Sequence, residues 1–571
     1  MKRHLLYITL LVCVVAAVFH RTVLAEISMV DDLSMLQGML DAQHFNLQGI
    51  FFPGSGSGVY YRPIIGLSFW IDKLFWSLHA PILHLENILF HLFNVVLLYF
   101  LALRIMPIDL RRGYAPLAAA LLFAFHPLVN ESVAWISGRT DLLATFFMLI
   151  SAICLQYFRA SGKRRYLAMA ALILVPGVLV KETALAFPLA AAWLLSAHRE
   201  GEQPSIRISA RLLRRVAWGV AATLALLLGA YLLRKFAFSS VDHRITRAID
   251  LILKSPGGTL KEMVAASGFY LKKFLLPLPL NFTITVISPW YFLLGIGEIF
   301  VCLWCAWRRE LSAVLFLAGF CLILPALLVV SNTVTWTPYA ERYCYPALPF
   351  WILSATIWGS QLIARLRISN RATSAAVIAL IVISAAITWN RNGVWLSNVT
   401  LMADSVDKAP LFPRVRQYYM LALATKGDKS GADREQRINA AMCSNRYVPE
   451  QDLALAEDLV RRGVQTNVFD YVESKMRAQF GDSPELYVNM RQFYRELYQR
   501  TRDAQAEERI ISYDEIHGSL RTDLLLRLLI FNFRGQQPFG KQTQQNPLVE
   551  VKFDYLPSPR RLPENQESVQ H

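Results

Sequence analysis

Charge is scarce in this 571-residue sequence: Asp, Glu, Lys and Arg make up 18% of it, against about 25% in an ordinary soluble domain. Hydrophobic residues reach 54% and the mean hydropathy is +0.35, which excludes a disordered or collagen-like chain. Cysteine is sparse as well. Six of the 7 (Cys13, Cys154, Cys302, Cys305, Cys321 and Cys344) lie in or beside apolar runs, and only Cys443 does not. That placement excludes a disulfide-stapled scaffold and reads the thiols as small hydrophobes. Cys302 and Cys305 have C-x-x-C spacing, but neither a thioredoxin-like nor a zinc-ribbon context surrounds them. Residues 395–571 hold 24 Lys and Arg against 24 Asp and Glu, so the whole +16 formal charge rests on residues 1–394. A basic balance confined to the apolar part points to cytoplasmic loops and to anionic lipid or phosphate ligands. With no zinc-finger spacing and no RNA-binding motif, nucleic acid is not an expected partner.

What the sequence has instead is apolar runs of bilayer-spanning length. They lie at 5–24, 84–106, 115–129, 139–158, 166–181, 183–197, 216–234, 285–307, 311–331, 343–363 and 373–389. They predict an all-α polytopic membrane protein in which residues 1–394 form a bundle of about eleven transmembrane helices. Lys2 and Arg3 place the N-terminus in the cytoplasm. The clusters at Arg104–Arg112, Arg159–Arg165, Arg199–Arg215, Arg308–Arg309 and Arg365–Arg371 then all fall on that side. The first run reads as a retained span; the alternative is a signal peptide ending at Ala25.

Two external loops are expected, 26–83 and 235–283. The first carries the turn Gly54–Gly58 and an amphipathic stretch, Pro63–Leu78, whose Trp70, Phe75 and Trp76 suit the headgroup layer. The second is expected to end in an interfacial stretch, Phe269–Leu280. Residues 395–540 predict a C-terminal extracytoplasmic helical soluble domain, with helices at 397–424, 450–463, 484–502 and 518–532 and at most one degenerate tetratricopeptide-like pair. Residues 541–571 are rich in Pro and Gln and read as disordered.

Because acidic residues are few in the membrane part, their placement is informative. Asp31 and Asp32 follow the first apolar run directly. Adjacent carboxylates at a membrane boundary repel each other and lose solvation, which suits one of them to general-base work. The competing reading is a solvated helix cap. His84, Asn87, His91 and Asn94 are spaced 3, 4 and 3 apart and so share one helix face. Interhelical hydrogen bonding explains them, and a metal role for the two histidines is the weaker alternative. His126, Glu131, Arg139 and Asp141 lie at the next external turn, Lys181-Glu182 at the one after, and Glu341-Arg342 begin a later helix from the same side. Arg62, Arg139, Lys181 and Arg342 are thus candidates for clamping a phosphate. Ion pairing with Glu131, Asp141, Glu182 and Glu341 is the alternative, and both can hold at once.

The succession Asp31-Asp32, Tyr61-Arg62-Pro63, His84-Leu85-Glu86-Asn87 with His91, His126-Pro127 with Glu131, Gly138-Arg139-Thr140-Asp141, Lys181-Glu182 and Glu341-Arg342-Tyr343 resembles the transmembrane and tetratricopeptide-repeat-containing O-mannosyltransferase family of the GT-C glycosyltransferase superfamily. The likeness spans roughly 25–350, and Trp395, Leu401 and Pro410 resemble the junction where that family's repeats begin. The departure is the tail, which lacks a recognisable repeat array. The resemblance implies an inverting transfer of a sugar from a polyprenyl-phosphate donor to a hydroxyl acceptor, a protein Ser or Thr or a glycan, at the extracytoplasmic face. Asp31 matches the family's catalytic acid, with Asp32 its neighbour. Arg62, Arg139, Lys181 and Arg342 then hold the donor phosphate. His84, Asn87, His91, His126, Glu131, Asp141, Glu182 and Glu341 bind sugar or acceptor or support the site. No metal is favoured, although some relatives in the superfamily use a divalent ion. A polysaccharide polymerase or O-antigen ligase, a lipid or glycan transporter and a non-catalytic scaffold are the rival readings. The short tail favours a bacterial inner membrane with a periplasmic active face over the endoplasmic reticulum.

Overall fold

The computed structural model describes residues 2–513 except 43, 54–59, 199–209, 239–249, 251, 331–334, 336 and 482. The expected helix at 518–532, the tail at 541–571, the turn at Gly54–Gly58 and part of the loop at 235–283 lie outside the described residues. The described chain is helical. Among those residues strand-like structure is limited to isolated bridge positions, including an antiparallel bridge between Ile284 and Tyr339.

The chain divides into two compact units, residues 1–401 and 402–571. The helices of the first are α1 (Lys2–Phe19), α2 (Asp32–Asp41), α3 (Pro63–Trp76), α4 (Ala80–Ile105), α5 (Ala115–Phe125), α6 (Arg139–Ser161) and α7 (Arg164–Val180), followed by α8 (Phe187–Ser196), α9 (Ala210–Ala237), α10 (Pro256–Leu275), α11 (Tyr291–Arg308), α12 (Leu311–Val329), α13 (Leu348–Arg365) and α14 (Asn370–Val394). Proline sits in the first turn of α3, α4, α5, α8, α10 and α13. There its missing N–H has no intrahelical partner to lose and its fixed φ starts the helix. At Pro127 the same residue type does the opposite: the helical path from Ala115 to Ala134 breaks after Phe125 and turns by 50°.

Every apolar run of the sequence contains a helix, although the run 285–307 becomes helical only from Tyr291. Among the described residues, 7 helices are long and apolar enough to cross a membrane, or 8 if the bent pair counts as one span. Runs 166–181, 183–197 and 343–363 form α7, α8 and α13, which are shorter or less apolar than those 7. The packing is that of a protein in lipid. Leu11, Val15, Phe19, Phe123, Leu142 and Met148 are fully enclosed in the bundle, while α9 and α14 expose Trp218, Leu228, Ile378 and Val382. Water would penalise such faces; hydrocarbon does not.

One expectation needs correction. Segment 235–283 is not simply a loop with an interfacial end: it contains α10, a 20-residue helix packed along α11. The expected interfacial stretch is therefore split, since Phe269–Leu275 completes α10 and the chain is irregular after Leu276. Gly257, Gly258 and Gly268, with Lys261, Lys272 and Lys273, disguised the helical period. What rescues the helix is close backbone approach. A Cβ on Gly268 would lie 2.1 Å from Tyr291 O, and one on Gly295 would lie 1.8 Å from Val264 O. Small residues at a helix crossing allow that contact where lipid supplies no hydrophobic drive between helices. Gly295→Ala is therefore expected to destabilise the bundle by about 1–3 kcal/mol through overpacking. Gly297→Ala, with nothing within 4 Å of its Cβ, should be neutral or slightly stabilising. Thermal unfolding of the two detergent-solubilised variants separates these outcomes.

The second unit is a run of helices, α15 (Pro413–Thr425), α16 (Lys429–Cys443), α17 (Pro449–Arg461), α18 (Gln465–Phe480) and α19 (Pro484–Thr501). Each packs on the next, and α17 also contacts α19. The helix expected over 397–424 is two, Asn398–Lys408 and α15, because Pro410 and Pro413 interrupt it. The α16 and α18 helices were not anticipated. In the centre of this unit Arg416, wholly buried, is held 2.8 Å from Glu435 and 2.6 Å from Asp458.

Candidate functional site

The acidic pair begins α2. Asp31 is exposed and occupies the N-cap position at φ 64°, ψ −45°, yet its side chain makes no capping bond. A non-glycine residue held there is strained, and strain of this kind concentrates at functional positions. Asp32 is fully buried. Its Oδ1 accepts the backbone N–H of Ser137 at 2.9 Å and the Ser137 hydroxyl as well, while Oδ2 has no hydrogen-bond partner. Burial drives the Asp32 carboxyl up to about 7, Ser137 pulls it down, and the neighbouring Asp31 charge pushes it up again.

Asp32 lines a narrow crevice with Ser28, His84, Trp135, Trp395 and Asn398. His84 is 1% exposed. Backbone groups of Ala25, Glu26 and Ala134 lie close to its ring, but neither nitrogen closes a hydrogen bond of ordinary geometry. Trp395 Nε1 is likewise buried without a partner. Asn398 ties the crevice wall together, accepting from Met29 N at 2.9 Å and donating to Ile27 O at 2.9 Å.

Asn87, His91 and Asn94 of α4 make hydrogen bonds within the bundle. Asn87 donates to Trp135 O at 2.8 Å. His91 accepts from the Tyr345 hydroxyl at 2.7 Å and donates to Ala124 O at 3.1 Å, and Asn94 donates to Leu142 O at 2.9 Å. His84 thus faces the crevice whereas His91 is locked in the packed interior. His126 donates to Phe274 O at 3.0 Å, stacks on that ring and accepts from Leu128 N. Among the described residues no three His, Cys, Asp or Glu side chains converge as metal ligands do.

The four candidate cations divide into two groups. Arg139 is 1% exposed and enclosed by Asp72, by Glu86 at 2.6 Å and by Asn87. All three of its nitrogens donate to protein groups. Arg62, Lys181 and Arg342 form the other group. Arg62 binds Glu182 at 2.6 Å through Nη2 and lies 4.3 Å from the Tyr60 ring centre. Lys181 binds Asp141 at 2.6 Å. Burial lowers the Lys181 pKa, Asp141 opposes the shift, and nearby Arg62 and Arg342 reinforce it, so the three cations share one electrostatic neighbourhood. Arg342 takes Glu131 through its backbone N–H at 3.0 Å and through Nη1, and its guanidinium carbon lies 4.8 Å from the centre of the Trp135 ring. Each cation of this group meets a carboxylate with only some of its donors. Glu341 does not touch Arg342; it accepts from Lys273 Nζ and Asn281 N at 2.6 and 2.9 Å.

Trp135 links the two halves of the site. Its indole N–H donates to Val30 O at 3.2 Å, immediately before the acidic pair, while Arg342 lies over the ring. The sequence did not single out Trp135, Ser137, Asp72 or Lys273, and it marked Trp395 only as part of the repeat junction. Ser137 had one usable signal, its position just ahead of Gly138-Arg139. Asp72 had none, being a single acid beside Lys73 in a mostly apolar helix, with its partner 67 positions away.

No family model matches the chain. It is similar to protein O-mannosyl-transferase TMTC2 of Mus musculus, 36% identical over 120 residues, which is 21% of this chain and 14% of the relative. Human TMTC3 is 36% identical over 102 residues, covering 18% of this chain and 10% of that one. Human TMTC4 is 35% identical over 144 residues, covering 23% and 19%. The matches thus span less than a fifth of the length of each of these relatives. Over about a fifth of its own length, the chain is similar to the transmembrane and tetratricopeptide-repeat-containing O-mannosyltransferase family that its ordered motifs resemble.

Proposed function

We propose that this protein is an inverting glycosyltransferase that moves a mannosyl group from a polyprenyl-phosphate donor to a hydroxyl of an extracytoplasmic protein. The observation that carries the reading is that Trp135 meets both the segment bearing the strained Asp31 and the Arg342 guanidinium, with Arg62 and Lys181 in the electrostatic neighbourhood of Arg342. The names of the similar proteins support the chemistry. Asp31, exposed at the head of α2, takes the proton of the acceptor hydroxyl. That oxygen attacks the anomeric carbon, the bond from this carbon to the phosphate oxygen breaks, and the phosphate leaves with the electron pair.

Negative charge grows on the phosphate in the transition state. Arg62, Lys181 and Arg342 are the groups to receive it, and their carboxylate partners pre-orient them so that little reorganisation is needed at the moment of reaction. Arg139 serves as an anchor that carries the frame beneath them. Asp141, Glu131 and Glu182 orient the cations and contact sugar hydroxyls. The active face is extracytoplasmic, the periplasm of a bacterial inner membrane or the lumen of the endoplasmic reticulum.

The test uses membranes containing the full chain, a tritiated polyprenyl-phosphate mannose and a Ser/Thr-rich secreted protein fraction. Label should pass to protein with the anomeric configuration opposite to the donor's. Arg342→Gln should lower the rate by about 10²–10³-fold, as the loss of one preorganised charge-stabilising donor does elsewhere. Label passing to glycan instead would favour a polymerase or ligase. Lipid-linked sugar crossing the bilayer without transfer would favour a transporter.

A further inference from the structure

Ser137 belongs to no motif of the resemblance, yet its turn is the most heavily braced in the site. The residues Ile136–Gly138 form a short 3₁₀ turn ahead of α6. Gly138 presses on the backbone of Ser132, where a Cβ would come within 2.3 Å of the carbonyl oxygen, so any larger residue would lift the turn. Asn87 holds the Trp135 carbonyl on the opposite side, and Arg139 donates to Asn87 while bound to Asp72 and Glu86. The brace aims two donors of one residue, the N–H and the hydroxyl of Ser137, at one oxygen of Asp32.

We propose that Ser137 is a positioning residue for the acidic pair: by gripping Asp32 Oδ1 with both of its donors it fixes the start of α2 and so aims the exposed Asp31. The proposal rests on the transferase reading for its kinetic consequence but not for its structural one. Ionised, Asp32 accepts both donors strongly. Protonated, it accepts them weakly and the turn that carries Asp31 loosens. The charged and titratable groups around Asp32 are Asp31 and Glu26 on its own segment and His84 from α4. None of these is a cation paired with it, so Ser137 is the main group favouring the carboxylate, against the burial that holds the carboxyl near 7.

Two measurements on the purified full chain test this. Infrared titration of the buried carboxyl, assigned by its loss in Asp32→Asn, should show the midpoint raised by about one pH unit in Ser137→Ala, the size expected for loss of one hydrogen bond to a charged group. Ser137→Thr, which keeps the hydroxyl, should restore the wild-type midpoint. In the mannosyl-transfer assay the acid limb of the rate profile should move upward by the same amount in Ser137→Ala, with the donor KM unchanged. An unmoved midpoint overturns the proposal. So does a loss of activity that is uniform across pH. If the wild type transfers no mannose, the transferase reading falls, while the infrared midpoint still decides whether Ser137 controls Asp32.

Discussion

Asp31→Asn is expected to lower mannosyl transfer by about 10²–10⁴-fold, the range for loss of a general base, with the folded state intact. The substitution is well matched to its site. Asn tolerates positive φ as Asp does, and the Asp31 side chain makes no capping bond that Asn would have to replace. Asp32→Asn should behave differently. Its remaining carbonyl oxygen accepts the donors of Ser137 only weakly, as the protonated acid does, so the turn should loosen, and the loss should be smaller and largely independent of pH. The comparison is made on donor-saturated rates in membranes with equal amounts of each variant. Loss confined to Asp32→Asn would move the base by one residue. Full activity in both would remove the carboxylate mechanism altogether.

The second large effect is on stability. Arg139→Met should destabilise the membrane unit by about 3–5 kcal/mol, because it leaves buried carboxylates without their cation. Asp72 is 4% exposed, and Glu86 is mostly enclosed. Arg62→Met makes the contrast. Its partner Glu182 has a side chain 46% exposed, so water can take over the solvation of the carboxylate and the loss should stay below about 1 kcal/mol. Adding Asp72→Leu to Arg139→Met should recover part of the stability by removing one stranded charge. Thermal unfolding of the purified variants measures all three. Equal shifts for Arg139→Met and Arg62→Met would show that burial does not separate the two ion pairs.

These expectations show where sequence reading succeeds and where it stops. The spans were legible because runs such as 84–106 and 373–389 carry their own physics: a bilayer demands about 20 apolar residues whatever the neighbours do. The α10 helix was not legible. Its glycines argue against a helix in isolation, and Gly268 becomes favourable only because α11 lies within backbone contact. The break of the predicted 397–424 helix was written in Pro410 and Pro413 and could have been read there.

In the site, the residue types were legible and their division of labour was not. Four basic residues stood together as one candidate clamp. Only the fold separates Arg139, enclosed by Asp72 and Glu86 from α3 and α4, from Arg62, Lys181 and Arg342, each of which pairs with a single carboxylate residue. The acidic pair likewise looked like two equivalent carboxylates. One is exposed on a strained turn and the other is buried against Ser137, 105 residues along the chain.

By itself, then, the sequence determined the solvent, the helical class and the residue types available to the site, because apolar run length, proline placement and residue identity act locally. The tertiary structure alone decided which ion pairs are closed, which aspartate is reachable and which serine grips its neighbour. Those properties depend on burial and on partners dozens to hundreds of residues away, and no local pattern records them.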